Sequence, residues 1–431
     1  MSDRWDREQV LGLAPDAAAA KAAGGVSKPA KWSGTGCDDE AVWGECEGSG
    51  KTAYRASVNL TEPAFRCSCP SRKFPCKHAL GLLLLWGEGT VGGGARPAWV
   101  AEWLEERAAR AEKAQARKES AAAKVKDPKT AERREQRVDG GVAELDQWLR
   151  DQVAHGLAQA EKAPYRLWDE AARRLVDAQA GALAGQVRGL AAIPRQPGWP
   201  DRLLEEYALL RLLVRAHQRR AELPEALGET VRSRVGFTVP QEDVARDGER
   251  VRDLWCVTGS RDVAQEQLTT RRVWLRGRRT GRPALVLSFA APGRPLDASL
   301  VVGTEIDAEL AFYPGAQPLR ALVVERHGAA APAVPEGMPV GGFLEEYAAA
   351  LERDPWLDRW PAVLAGVRLA RTAGELQVVD GAGDALPLPA SDPWRLLAVS
   401  GGRPVTFAGE WSQRGLRPLA AWDEDEGVVI L

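Results

Sequence analysis

Phe65-Arg66-Cys67-Ser68-Cys69-Pro70-Ser71-Arg72-Lys73-Phe74-Pro75-Cys76-Lys77-His78 is the stretch on which the reading of this chain turns. Its thiols and imidazole follow the pattern C-x-C-x6-C-x-H and place four metal-binding side chains within twelve residues. Three thiolates and one imidazole, Cys67, Cys69, Cys76 and His78, suit tetrahedral Zn²⁺. Residues i and i+2 of an extended segment face the same side. Cys67 and Cys69 are therefore expected to converge at the end of the strand predicted over Lys51–Leu60, and Cys76 and His78 to sit in the turn that opens the helix running on through Ala79–Trp86. Pro70 and Pro75 fix φ in the loop between the two pairs, which lowers the entropic cost of closing it. A disulfide between Cys67 and Cys69 does not suit a reducing cell. The single histidine and tight spacing favour zinc over an iron–sulfur cluster. With all four positions filled by protein, the site reads as structural rather than catalytic. Zinc with three thiolates carries a formal charge of −1, and Arg66, Arg72, Lys73 and Lys77 surround it.

Outward from this stretch, residues 37–90 read as one compact unit. Ala41–Cys46 and Lys51–Leu60 are predicted strands joined by Glu47-Gly48-Ser49-Gly50. The second strand alternates Ala53, Arg55, Ser57 and Asn59 with Tyr54, Ala56, Val58 and Leu60, the period of a half-buried strand. The motif resembles that of the SWIM zinc-finger family, C-x-C-xn-C-x-H, without departure. The likeness extends more loosely over residues 40–87, where Trp43-Gly44, Cys46, Gly48-Ser49-Gly50 and Tyr54 look like the hairpin of bacterial members. Val273-Trp274-Leu275 and Phe312-Tyr313-Pro314-Gly315 look like their C-terminal part. The resemblance implies a small ββα finger holding zinc through Cys67, Cys69, Cys76 and His78. It also implies a non-enzymatic role in DNA binding or protein–protein contact.

The rest of the chain divides by texture. Residues 1–36 precede the finger, and 91–140 read as a basic helical or disordered linker. Between Arg107 and Arg137 there are eleven basic and five acidic residues. Residues 141–230 carry apolar side chains at helical spacing, as in Val142, Leu145, Trp148 and Leu149. Residues 231–431 read as a β-rich α+β domain. Leu254–Thr258, Arg272–Arg276, Ala284–Phe289, Ile306–Phe312 and Arg320–Val324 are its predicted strands, with a helical stretch over Gly342–Leu369. The fold class expected is thus α+β and multidomain: a ββα finger, a helical middle and a β-rich C-terminal part. All twelve lysines lie at or before Lys162, which suggests different histories for the two parts.

Composition narrows the function. The 431 residues carry 58 basic and 60 acidic side chains, so no global basic field attracts nucleic acid and any such binding is local. The longest apolar run, Ala79–Trp86, is far short of the ~20 residues that span a bilayer. The charged N-terminus lacks a signal-like apolar segment. Six cysteines are too few for a disulfide scaffold. A cytoplasmic protein with no membrane partner is expected.

Other signals read as structural. Gly48-Ser49-Gly50-Lys51-Thr52 looks like the end of a phosphate-binding loop, but Glu45 stands where a glycine is required and strand residues follow. A hairpin turn explains it, and no nucleotide cofactor is expected. Cys46 reads as a packed strand residue, Cys37 as an incidental thiol and Cys256 as strand core. His155, His217 and His327 are isolated, and no G-x-S-x-G hydrolase motif is present. Asp38-Asp39 and Glu345-Glu346 are adjacent acids on solvated surfaces. Among sixteen tryptophans, Trp356 and Trp360 lie four apart on the predicted helix, where core packing is the plainer reading and a partner surface the other. The expected function is a zinc protein whose finger binds DNA through Arg66, Arg72, Lys73 and Lys77. The alternative is an adaptor for a protein partner, with the finger as a rigid platform.

Overall fold

Each predicted element of the finger region is present in a computed structural model of the chain, with additions that change its shape. The structure describes residues 4–14, 17–48, 52–61, 64–71, 75–109, 128–265, 268–291, 296–372, 374–389, 394–423 and 427–431. The N-terminal part opens with helices α1 (Arg7–Gly12) and α2 (Ala17–Val26). Strands β1 (Trp32–Cys37), β2 (Ala41–Cys46), β3 (Tyr54–Asn59) and β4 (Ala64–Cys67) then form an antiparallel meander in chain order. Helix α3 (Lys77–Gly87) lies on it. The finger sheet therefore has four strands where the sequence suggested two, and it takes in residues 32–36.

The expectation that Cys67 and Cys69 end the strand over Lys51–Leu60 is corrected. That strand stops at Asn59, and Cys67 closes the short β4 that pairs back on it, with Ala56 opposite Cys67. A four-residue strand carries too little periodicity to be read in advance.

Helix α3 is apolar on all sides, and His78 through Trp86 are all buried. Such a helix needs cover all round. The sheet supplies one side, and α1 and α2 supply the other, with Trp5 edge-on to Trp86 at 6.1 Å. Gly81 allows the close approach of α2, because a Cβ there would lie 2.7 Å from Val26 Cγ2. The predicted half-buried pattern of β3 also fails, since Ser57 and Asn59 are buried along with Ala56 and Val58. A helix over residues 98–109 (α4) accounts for this. Val100 and Leu104, with Trp99 and Trp103, pack against Ala41 and Trp43. The start of the proposed linker is thus a packed helix, while residues 110–127 lie outside the described residues.

Helices α5 (Pro128–His155), α6 (Tyr165–Asp177), α7 (Gly181–Leu190), α8 (Trp199–Gln218) and α9 (Glu225–Val235) share one core. Val142, Leu145 and Leu149 lie in it with Trp168, Leu175, Leu203 and Val214. The short α10 (Gln241–Asp247) leads into the β-rich part.

Strands β5 (Glu249–Gln265), β6 (Leu268–Gly277), β7 (Pro283–Ala290), β8 (Thr304–Phe312) and β9 (Arg320–Arg326) contain all five predicted strands. They run β8-β5-β6-β7-β9, and β9 pairs back to β8 to close a small barrel with β10 (Ala331–Pro332) outside it. A second sheet follows in the order β13-β12-β11-β14-β15-β16. Its strands are β11 (Trp360–Thr372), β12 (Glu375–Val379), β13 (Ala385–Pro387), β14 (Val405–Ser412), β15 (Gly415–Asp423) and β16 (Gly427–Ile430). Helices α11 (Val340–Arg353) and α12 (Trp394–Ser400) accompany it. The predicted helical stretch over Gly342–Leu369 is therefore corrected: the helix ends at Arg353. Pro355 cannot continue it, and Asp354 accepts the Trp356 backbone N–H in a turn. Trp356 stands in that turn and Trp360 begins β11, so the two share no helix. Both are buried, as the core-packing reading expected.

The finger does not stand apart from this β-rich part. Val301 is 3% exposed within the core built by α1, α3 and the finger sheet, and Ala298 packs beside it. Gln9, itself buried, donates to the Gly303 carbonyl at 2.8 Å. No helix among the described residues is long and apolar enough to cross a membrane.

Candidate metal centre

Two chain reversals bring the four predicted ligands together. The β3–β4 hairpin carries Cys67 to the end of β4, and the next two residues turn Cys69 back beside it. Ser68 fastens this turn at both ends of one residue. Its N–H donates to the Arg55 carbonyl at 3.0 Å, and its hydroxyl accepts the Arg55 N–H at 3.0 Å. Cys76 is the N-cap of α3, with extended backbone at φ −80° and ψ 165°, and His78 lies in the first turn. The α3 backbone thereby fixes the second pair as β4 fixes the first.

The Sγ atoms of Cys67, Cys69 and Cys76 and a ring nitrogen of His78 all lie within 4.8 Å of one another. Cys67 Sγ and His78 Nδ1 are 3.8 Å apart. Thiolates at 2.3 Å from a tetrahedral zinc are about 3.8 Å from each other. The donor set and its spacing fit zinc. Cys76 and His78 are buried, Cys67 and Cys69 half-buried. The His78 ring lies against Tyr54 at 4.9 Å between centroids. That contact steers the imidazole, and neither it nor the Ser68 clamp was legible in the ligand spacing.

Electrostatics divides the three thiols unequally. Cys76 is pushed down to about 4, first by the hydrogen bond it receives from Cys67, then by His78 and the Ala79 N–H. Its place at a helix N-terminus acts in the same direction. Cys67 is raised well above the ordinary thiol range because it donates to Cys76 and because it is buried. Burial raises Cys69. Without metal the cluster is thus one thiolate beside two thiols.

Neither Cys37 nor Cys46 belongs to the group of four. Cys46 is fully buried on β2, and Cys37 lies 3.6 Å from the Gly92 carbonyl. Cys256 is a strand-core thiol that burial pushes up to about 12. His155, His217 and His327 are dispersed. His217 meets Asp139 at 2.8 Å, and His327 lies 3.7 Å from Glu325. Of the glycine-rich turn, Ser49, Gly50 and Lys51 lie outside the described residues; its flanks, β2 and β3, pair as antiparallel strands with Cys46 opposite Tyr54.

Of the four predicted cationic contacts, Arg66 is exposed on β4 and Lys77 is exposed at the start of α3. Arg72 and Lys73 lie outside the described residues. Beside the ligands opens a cleft of about 600 Å³, lined by Lys31, Tyr54, Cys69, Lys77, His78 and the alanine face of α2.

The SWIM zinc finger family model matches residues 58–87. The model of the SWIM-associated four-helix bundle domain matches residues 133–235, which span most of α5 and all of α6 to α9. The chain therefore carries a SWIM finger and the helical domain that accompanies it. No curated protein and no solved structure matches the chain.

Proposed function

We propose that this SWIM-finger chain is a non-enzymatic zinc protein whose finger binds DNA through phosphate contacts. One observation carries the reading. Arg66 and Lys77, next in sequence to Cys67 and to Cys76 and His78, are exposed and make no ion pair among the described residues. Other exposed arginines near the finger are neutralised by carboxylates, as Arg55 is by Glu45 at 3.0 Å and Arg7 by Glu88 at 3.5 Å. Cations left unpaired beside an anionic centre present the charge that phosphates take up. Arg72 and Lys73 lie between the ligand pairs in sequence and add two further cations to the motif. A structural zinc saturated by protein ligands supports a binding rather than a catalytic role. Six free cysteines suit a reducing, cytoplasmic setting.

The test is DNA affinity across a salt series. Log affinity should fall linearly with log salt, and Arg66→Ala and Lys77→Ala should each reduce the slope by about one while leaving sequence preference intact. Affinity independent of salt would sink the reading. A protein partner is the second reading, favoured by large apolar side chains exposed on the helical domain: Tyr165, Leu204 and Leu212 are 57%, 48% and 47% exposed. Binding through these side chains should survive both salt and the finger substitutions.

A further inference from the structure

We propose that the seam between the barrel and the C-terminal sheet is a binding site for a phosphoryl oxyanion, held by Arg261, Arg272, Arg359 and Arg417. The site begins in the β5–β6 hairpin. β8 pairs with β5 only as far as Cys256, whereas β5 and β6 stay paired out to Gln265 and Leu268. The hairpin arm thus projects from the barrel and crosses the other sheet. Gly259 permits the crossing, because a Cβ there would lie 2.6 Å from Leu419 on β15.

On this arm Arg261 and Arg272 are directly opposite each other. Like charges in that position destabilise a sheet unless something offsets them. Both converge on Glu410 of β14, which is fully buried. Arg261 Nη2 lies 3.1 Å from Oε1 and Arg272 Nε lies 3.2 Å from Oε2. Arg359 donates to Oε1 at 3.1 Å, and the Trp274 indole donates to Oε2 at 3.1 Å. Arg417 stands opposite Glu410 in the β14–β15 register and is itself exposed.

The charges do not balance. Three guanidiniums gather around one carboxylate whose two oxygens are already taken, and Arg417 adds a fourth positive charge from the neighbouring strand. Asp358, 3.9 Å from Arg359, is 78% exposed and adds only a screened charge at the rim. Among the described residues no other carboxylate pairs with any of the four. Arg261 Nε is buried without a hydrogen-bond partner, and Arg272 Nε meets Glu410 as an ion pair without hydrogen-bond geometry. Burial and the neighbouring guanidiniums pull Arg261 below the ordinary arginine range. The three side chains facing Glu410 remain 20–29% exposed, so their outer edges reach solvent. Arg272 also lies over the Trp274 ring at 5.5 Å, which holds its plane. Several fixed guanidinium forks with surplus positive charge and open outer edges match a phosphate dianion in both charge and geometry.

The test uses the full-length, zinc-loaded chain at constant ionic strength, with chloride as the balancing anion. Orthophosphate and phenyl phosphate are titrated separately by calorimetry, up to about 10 mM. One equivalent should bind. Arg359→Gln and the exposed Arg417→Gln should each weaken binding about tenfold, the worth of one charge-assisted hydrogen bond. Glu410→Gln removes the competing carboxylate, so phosphate should bind it more tightly and raise its melting temperature more than the wild type's. Tighter binding of the monoester than of orthophosphate assigns the site to a phosphorylated ligand, and the reverse assigns it to the free ion. The absence of wild-type binding, or wild-type affinity in Arg417→Gln, overturns the proposal. Arg417 makes no contact on which folding depends, so that variant carries the test even where Glu410→Gln does not fold.

Discussion

Cys76 differs from its two partner thiols by position alone: it caps a helix and receives the hydrogen bonds that they give or lack. A thiol held down to about 4 is a thiolate at every pH above that value, while the raised Cys67 and Cys69 keep their protons through neutrality. Ligation requires all three as thiolates. Zinc loading at pH 8 should therefore release about two protons per chain, not three, and affinity should rise with pH. Calorimetry in buffers of different ionisation enthalpy counts them, and three protons would mean that Cys76 is an ordinary thiol. Cys69→Ser should lower metal content from one zinc per chain towards zero in protein purified without added metal. The ligands themselves were legible in the sequence, because C-x-C and C-x-H spacings constrain local geometry directly. Ser68 and Tyr54 were not, because each acts through a partner distant in sequence.

Helix α3 supplies half the ligand set and most of the finger's core, so its fit decides whether the two ligand pairs meet. Gly81→Leu should force α2 away from α3 and cost about 1–3 kcal/mol, read as a lower denaturation midpoint with an unchanged denaturant slope. An unchanged midpoint would show that the helices are not in close contact. Chelation should act more locally than a finger of about fifty residues suggests, since such a unit standing alone leans on its metal. Here α1, α2 and α4 add cover. Amide exchange should quicken first in β4 and the first turn of α3, while the far end of α3, gripped by Trp5, stays protected. Strands with strong alternation or β-branched runs were found from sequence. The β11 strand was not, because its apolar run after Trp360 suits a buried helix and a buried strand equally well.

Across the whole molecule, one chain segment near residue 301 completes a core that begins at Trp5. Val301→Ala should destabilise the finger by about 1–2 kcal/mol and lower its zinc affinity, although the substitution lies far from any ligand in sequence. Scanning calorimetry would read the first and competition with a chelator the second; a finger indifferent to the change would be an independent domain. Long-range contacts of this kind leave no period or motif, which is why the sequence divided the chain more sharply than the structure does. The same contact sets an order of events on the ribosome. Chains grow at about 5–20 residues per second, so roughly ten to forty-five seconds separate the synthesis of His78 from that of Val301. Throughout that interval the apolar helix α3 has been made while part of its cover has not. Early capture of the metal by the nascent finger would tether its two ligand pairs during that wait, and a cell short of zinc should lose this protein to aggregation and proteolysis during translation rather than after it.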